Sequence, residues 1–211
     1  GHVPITPQVS RRLFGRTNPH YRMAKASNGR FILGQDCNVS PMSTVILQVT
    51  APASEKDNPE LWHYWCVDNE VTPNTNTYEH ARRLVSIELS RRLDPQGSGP
   101  TLKGCGVIMD ATAISRDNTA HRSGQSGSVA ETFGKFDLDV RAPMYRVSQN
   151  GPGHRNPLRT DRFSLIHRLL AEGRLHVFSR CGALLNAFET QPAEPDGVCP
   201  IDSRRGHWDV V

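Results

Sequence analysis

The run FILGQDCNVSPMSTVILQV, residues 31–49, decides how this chain is read. Phe31, Ile32 and Leu33 make an apolar strand over residues 30–36 that ends on Asp36. Asn38, Ser40 and Pro41 then break the chain before a second apolar run at 45–49. Turn residues between two β-rich runs predict a hairpin, here with an acid at its turn. Further along, GVIMD repeats the ending, because a short apolar strand at 104–109 delivers Asp110 to its C-terminal end.

The segments between and after these runs alternate. Residues 61–67, rich in aromatic and β-branched side chains, predict a third strand, and the periodicity of Tyr78, Ala81, Leu84, Val85 and Ile87 predicts a helix over 77–92. The polar stretch 111–128 reads as a surface loop, followed by a short helix at 129–136 and a strand at 142–147. A Pro/Gly loop at 149–157 then leads to a helix capped by Thr160, with Phe163, Ile166, Leu169 and Leu170 at helical spacing. A strand at 175–178 and a helix at 181–189 close the pattern, with no internal repeat. The order predicts one α/β domain over 30–211, a mixed sheet with its antiparallel part first and crossover helices later. Residues 1–29, polar and interrupted by Pro4, Pro7 and Pro19, read as an N-terminal arm or linker. Gly1 and His2 read as a cloning remnant, which implies a domain cut from a longer polypeptide.

At 211 residues and 36% hydrophobic content the chain can fill one core, which excludes a purely disordered reading. The formal net charge is only +4, yet 21 of the 25 cations are arginine, the side chain that grips phosphate in a planar, bidentate way. That composition favours a nucleic-acid partner. Five widely spaced cysteines with no CxxC support neither a disulfide framework nor a zinc knuckle, so a reducing compartment is expected. No apolar stretch approaches the roughly 20 residues of a membrane span, and no hydrophobic signal core opens the chain.

Strand ends are where α/β sheets place ligands. A lone aspartate there often only caps a turn, but Asp36 and Asp110 form a pair. On neighbouring strands their like charges would be relieved by a divalent cation, and oxygen-only ligation selects Mg²⁺ or Mn²⁺. Glu70, in CVDNEV beside Asp68, and His207, near the end of the chain, are accessory candidates, and Asp209 in HWDVV is a further acid. Arg116 and Arg122, in the long polar loop, and Arg155 and Arg159, among eight arginines between Arg141 and Arg180, are candidates for DNA phosphate contact. Ion pairs with Asp161 and Glu172 account for some of that basic run. Nothing in the sequence places a base beside Cys37 that would make it a nucleophile. There is no GxxxxGK[ST], GxSxG or HExxH, so no ATPase, serine-elbow or zincin chemistry is expected.

Over roughly residues 30–211 the chain resembles the nuclease domain of the large terminase subunit of tailed bacteriophages, which has an RNase H-like fold. FILGQDCNVSPMSTVILQV resembles that family's opening hairpin with its first metal-binding Asp, and WHYWCVDNEV with the following helix resembles its third strand and first helix. GVIMDATAISRDNT is similar to its second strand-end Asp and loop, although Met109 and Ala111 replace the usual small neighbours. DRFSLIHRLLAEGRLHVFSRCGALLNAFET resembles its late helix, strand and helix and is the most specific stretch. The family's closing Asp lies on a C-terminal helix, for which Asp209 is the available counterpart.

The resemblance implies a metal-dependent endodeoxyribonuclease that cuts concatemeric viral DNA during packaging. Two Mg²⁺ or Mn²⁺ ions about 3.5–4 Å apart would be bridged by Asp36, with Asp110 and Asp209 each holding one. It also implies double-stranded DNA, the terminase small subunit, the portal protein and an ATPase domain of the same polypeptide as partners, in the cytoplasm of an infected bacterium. A Holliday-junction resolvase-like or other RNase H-like nuclease would use the same acids, and a non-catalytic DNA-binding module would use only the arginines.

Overall fold

In the computed structural model, which describes residues 21–23, 31–37, 41–86, 102–114, 127–143 and 159–190, the opening run folds as two antiparallel strands. Strand β1 (Tyr21–Met23) precedes β2 (Ile32–Asp36) and β3 (Met42–Pro52). Along β2 the side chains alternate with the strand period of two: Phe31, Leu33, Gln35 and Cys37 are buried, while Ile32, Gly34 and Asp36 are half-buried. After a 3₁₀ turn at Pro59–Leu61, β4 (His63–Thr72) runs back along β3. Ile46 faces Asp68 and Leu47 faces Cys66, so Val67 is the extra residue of a β-bulge.

Helix α1 (Thr77–Ser86) follows, with the Asn76 side chain accepting the Glu79 N–H at 2.8 Å as its cap. Its buried residues, Thr77, His80, Ala81 and Leu84, recur at helical spacing. Next come β5 (Gly106–Met109), a single helical turn α2 (Ala111–Ile114), α3 (Val129–Gly134) and β6 (Asp139–Arg141). Ser128 and Glu131 cap α3 reciprocally, the serine Oγ accepting the Glu131 N–H at 3.2 Å and Glu131 Oε2 accepting the Ser128 N–H at 2.7 Å. Helix α4 (Arg159–Ala171), β7 (Leu175–Val177) and α5 (Gly182–Thr190) complete the order.

The strands form one mixed sheet in the order β6-β5-β2-β3-β4-β7, with β1 paired to β3. Its β2-β3-β4 centre is antiparallel, whereas β5 and β6 join β2, and β7 joins β4, in parallel. That is the mixed α/β sheet with an antiparallel hairpin start and flanking helices expected from the sequence. A single core cluster joins Phe31, Leu33, Ile46, Val67 and Val107 of the sheet region to Leu84 of α1, Phe133 of α3 and Leu184 of α5. Each large apolar side chain fully buried there contributes about 1.5–3 kcal/mol. No described helix is long and apolar enough to cross a membrane.

Several boundaries differ from the sequence expectation. Tyr21–Met23 of the expected arm is a strand, in register with Thr50–Pro52 of β3. Strand β4 continues to Thr72, so Glu70 lies within it, because pairing with β3 holds the polar end in the ladder. The strand expected at 142–147 is instead Asp139–Arg141. Asp137 turns the chain through a left-handed conformation (φ 59°), Leu138 is buried, and the Asp139 N–H immediately donates to the Cys105 carbonyl. Helix α4 already includes Thr160, expected as its cap, and part of the loop expected at 111–128 is the turn α2. Residues 87–92, 115–126 and 144–147 lie outside the described residues.

Candidate active site

Strand register brings Asp36 and Asp110 together. On β2 and β5, Ile32 is level with Gly106 and Gln35 with Met109, and the next residue is an aspartate in each case: Asp36 ends β2 and Asp110 directly follows β5. Adjacent strands lie about 4.8 Å apart, and this register, carried one residue on, sets the two acids level and on the same face. Two further features hold this geometry. The Ala113 N–H donates to the Asp110 carbonyl at 2.9 Å, folding the chain into α2 directly after the acid. On the opposite face the buried Cys37 thiol lies 4.0 Å from Met109 Sδ, pinning the two strand ends to each other.

The face that carries the acids is the less covered one. Gly34 precedes Asp36 by two residues on that face, and a Cβ placed on Gly34 meets nothing within 4 Å among the described residues. Asn69 shares the face through the row Gly34, Val45, Asn69, and its buried Oδ1 has no hydrogen-bond partner among the described residues.

Glu70 is not brought to the acids. It is level with Thr44 and Gln35, the phase of the sheet that α1 covers, whereas Val71 is the residue in the row of Asp36. There its Oε1 accepts from the Thr72 hydroxyl at 3.3 Å and lies 3.8 Å from Arg83. Asp209, His207, Arg116, Arg122 and Arg155 lie outside the described residues, as does the side chain of Arg159 at the start of α4.

Under α1 lies a polar cluster that sequence patterns alone do not single out. The His80 imidazole bridges three strands: its Nε2 is 2.7 Å from Thr44 Oγ1 and 3.2 Å from Gln35 Oε1, and its Nδ1 is 3.0 Å from Thr72 Oγ1. The Thr44 hydroxyl donates to Gln35 Oε1, and Gln35 Nε2 donates to the Asp36 carbonyl at 2.6 Å. Gln35, Thr44, Thr72 and His80 are all buried. Burial, and secondarily Arg83, lower the His80 pKa to about 4, so the ring is neutral near pH 7. Because Thr44 gives its hydrogen to Gln35, it accepts from His80 Nε2–H, and Nδ1 shares the single Thr72 hydroxyl hydrogen with Glu70 Oε1. A signal for this cluster exists in the sequence: Gln35 occupies the buried phase of β2, and His80 the buried phase of α1.

Cys37, Cys66, Cys105 and Cys181 are buried thiols. Burial pushes the Cys66 thiol far up and Cys181 up to about 12, which makes both poor nucleophiles. Among the described residues no group of three or more His, Cys, Asp or Glu side chains could hold a metal ion. The Asp36 and Asp110 pair supplies hard oxygen donors of the kind Mg²⁺ and Mn²⁺ take, and the described residues place no third acid beside it.

No protein-family model matches the sequence, and no curated protein matches it. Among solved structures, the nuclease domain of the P22 large terminase aligns with 89% of this chain and 76% of its own, at TM-score 0.51 and 10% identity. The large terminase of a thermophilic bacteriophage aligns over 76% of this chain and 32% of its own, at TM-score 0.43 and 11% identity. The Mn-soaked terminase nuclease domain of human cytomegalovirus aligns over 92% and 89%, at TM-score 0.40 and 13% identity. The P22 alignment, which spans most of both chains, shows that this chain has an RNase H-like, terminase nuclease-like fold.

Proposed function

We propose that this terminase nuclease-like domain is a metal-dependent endonuclease that hydrolyses the phosphodiester bonds of double-stranded DNA, cutting concatemeric viral DNA during genome packaging. The observation that carries the reading is the level, same-face placement of Asp36 and Asp110 at the ends of two parallel neighbouring strands. Two carboxylates so placed repel each other, and a shared divalent cation removes that cost. Asp36 and Asp110 would hold Mg²⁺ or Mn²⁺, with Asp209 as the third acid. When bound, such ions supply Lewis acidity to phosphodiester hydrolysis.

The chain's own groups do the rest. The half-buried face around Gly34 gives a backbone flank of the scissile bond room to approach the acids. Arg116, Arg122, Arg155 and Arg159 take the flanking phosphates, gripping charge without reading bases. In this reading the domain works with an ATPase domain of the same polypeptide, the terminase small subunit and the portal protein, in the cytoplasm of the infected bacterium.

The test is incubation of supercoiled plasmid with the protein in Mn²⁺, Mg²⁺ or EDTA, beside Asp36→Asn and Asp110→Asn. Nicked and linear products with metal, none with EDTA and none from either variant support the proposal. Wild-type cleavage by either variant overturns it. DNA binding without cleavage under any metal condition would identify a non-catalytic module, and cleavage confined to branched substrates a resolvase-like enzyme.

A further inference from the structure

The buried cluster under α1 has no place in the chemistry above, yet it ends on the backbone of Asp36. Four polar side chains from three strands and a helix are buried together beneath α1, and apolar side chains of similar shape would fill that space without the desolvation cost. What apolar packing does not offer is direction. Gln35 Nε2 donates to the Asp36 carbonyl at 2.6 Å, while Gln35 Oε1 takes the Thr44 hydroxyl and faces His80 Nε2 at 3.2 Å. Flipping the amide would turn its NH₂ toward the His80 N–H and its oxygen toward the Asp36 carbonyl, donor on donor and acceptor on acceptor. The Gln35 amide therefore has one stable orientation.

That orientation fixes the peptide plane following Asp36, and with it the ψ angle of Asp36. The β2 ladder holds the preceding peptide plane, so both planes flanking the Asp36 Cα are anchored, one of them from the buried side of the sheet, and together they fix the direction of its Cα–Cβ bond. We propose that Gln35, locked by Thr44 and His80, is a positioning residue that aims the Asp36 carboxylate at its partner Asp110. This inference rests on the reading that the two acids hold a divalent metal.

The experiment uses the whole chain, with Gln35→Met, which keeps length and volume but loses both amide bonds, and Thr44→Val, which removes the lock without touching Asp36. Two quantities are read: Mn²⁺ affinity by isothermal titration without DNA, and the Mn²⁺ concentration that half-saturates plasmid cleavage, separated from the maximal rate. Indirect partners of metal ligands typically cost 10–100-fold in metal affinity when removed. We expect Gln35→Met to weaken Mn²⁺ binding and raise the half-saturating concentration on the order of tenfold, with a smaller shift in the same direction for Thr44→Val. A purely structural role would lower the melting temperature and leave the Mn²⁺ dependence of the folded protein unchanged, which would overturn the inference. If Gln35→Met does not fold, Thr44→Val decides by the same criterion. A wild type that neither binds Mn²⁺ nor cleaves overturns the proposed function as well, whereas a competent wild type matched by both variants overturns this inference alone.

Discussion

His80 makes the stability of this fold depend on pH, with a sign and size that follow from its burial. The ring is fully buried and its pKa falls from 6.5 to about 4 on folding, chiefly through burial. The unfolded chain therefore takes up the proton first as pH drops. The contribution is intact above pH 6.5, is lost progressively as pH falls toward 4, and is gone below that. At about 1.4 kcal/mol for each pH unit by which the pKa falls, the full loss is about 3 kcal/mol, of which about 1 is lost by pH 6 and about 2 by pH 5. Urea unfolding at pH 7, 6 and 5 measures it, and 2 kcal/mol moves the midpoint by roughly 1 M at an m of about 2 kcal/mol/M. His63 is also lowered, by burial and then by Arg174, so wild type alone does not isolate the effect. His80→Gln keeps a polar side chain that does not titrate, and the difference between the two proteins should shrink by about 2 kcal/mol from pH 7 to pH 5. Parallel pH profiles would overturn this expectation. They would mean that imidazolium, donating to both Thr44 and Thr72 with Glu70 beyond, is as well accommodated as the neutral ring.

In EDTA, Asp36→Asn and Asp110→Asn should melt at or above the wild-type temperature by scanning calorimetry, because each substitution removes like-charge repulsion; a clear drop would contradict the pairing. DNA binding should weaken by orders of magnitude between about 50 and 200 mM salt and differ little between sequences, as fluorescence anisotropy will show. Asp209→Ala should lose plasmid cleavage to the same extent as Asp36→Asn, and an unchanged rate would remove Asp209 from the site.

The acid pair is legible in the sequence because its signal is local: an apolar run that stops on an aspartate, twice, in segments whose type the residues dictate. That the two strands are neighbours is a property of the sheet order, which the run-and-turn pattern suggests but register establishes. Glu70 shows the limit. Its position beside Asp68 looks like a strand end, and only the continued pairing of β4 with β3 reveals that it is level with Gln35 and on the face α1 covers. Strand β6 escapes sequence reading for a related reason, since three exposed or half-buried residues carry little β signal and owe their conformation to β5. The Gln35 and His80 cluster is hidden differently. Polar residues in buried phases look like interruptions of a pattern until the partners that satisfy them, 45 positions apart, are seen in contact.

Whether Asp36 and Asp110 share a divalent metal site is decided most directly by a Mn²⁺-soaked crystal. An anomalous difference peak is expected at bonding distance, roughly 2.1 Å, from carboxylate oxygens of both residues. A peak coordinated elsewhere, or well-diffracting soaked crystals with none between these two acids, would contradict the shared site.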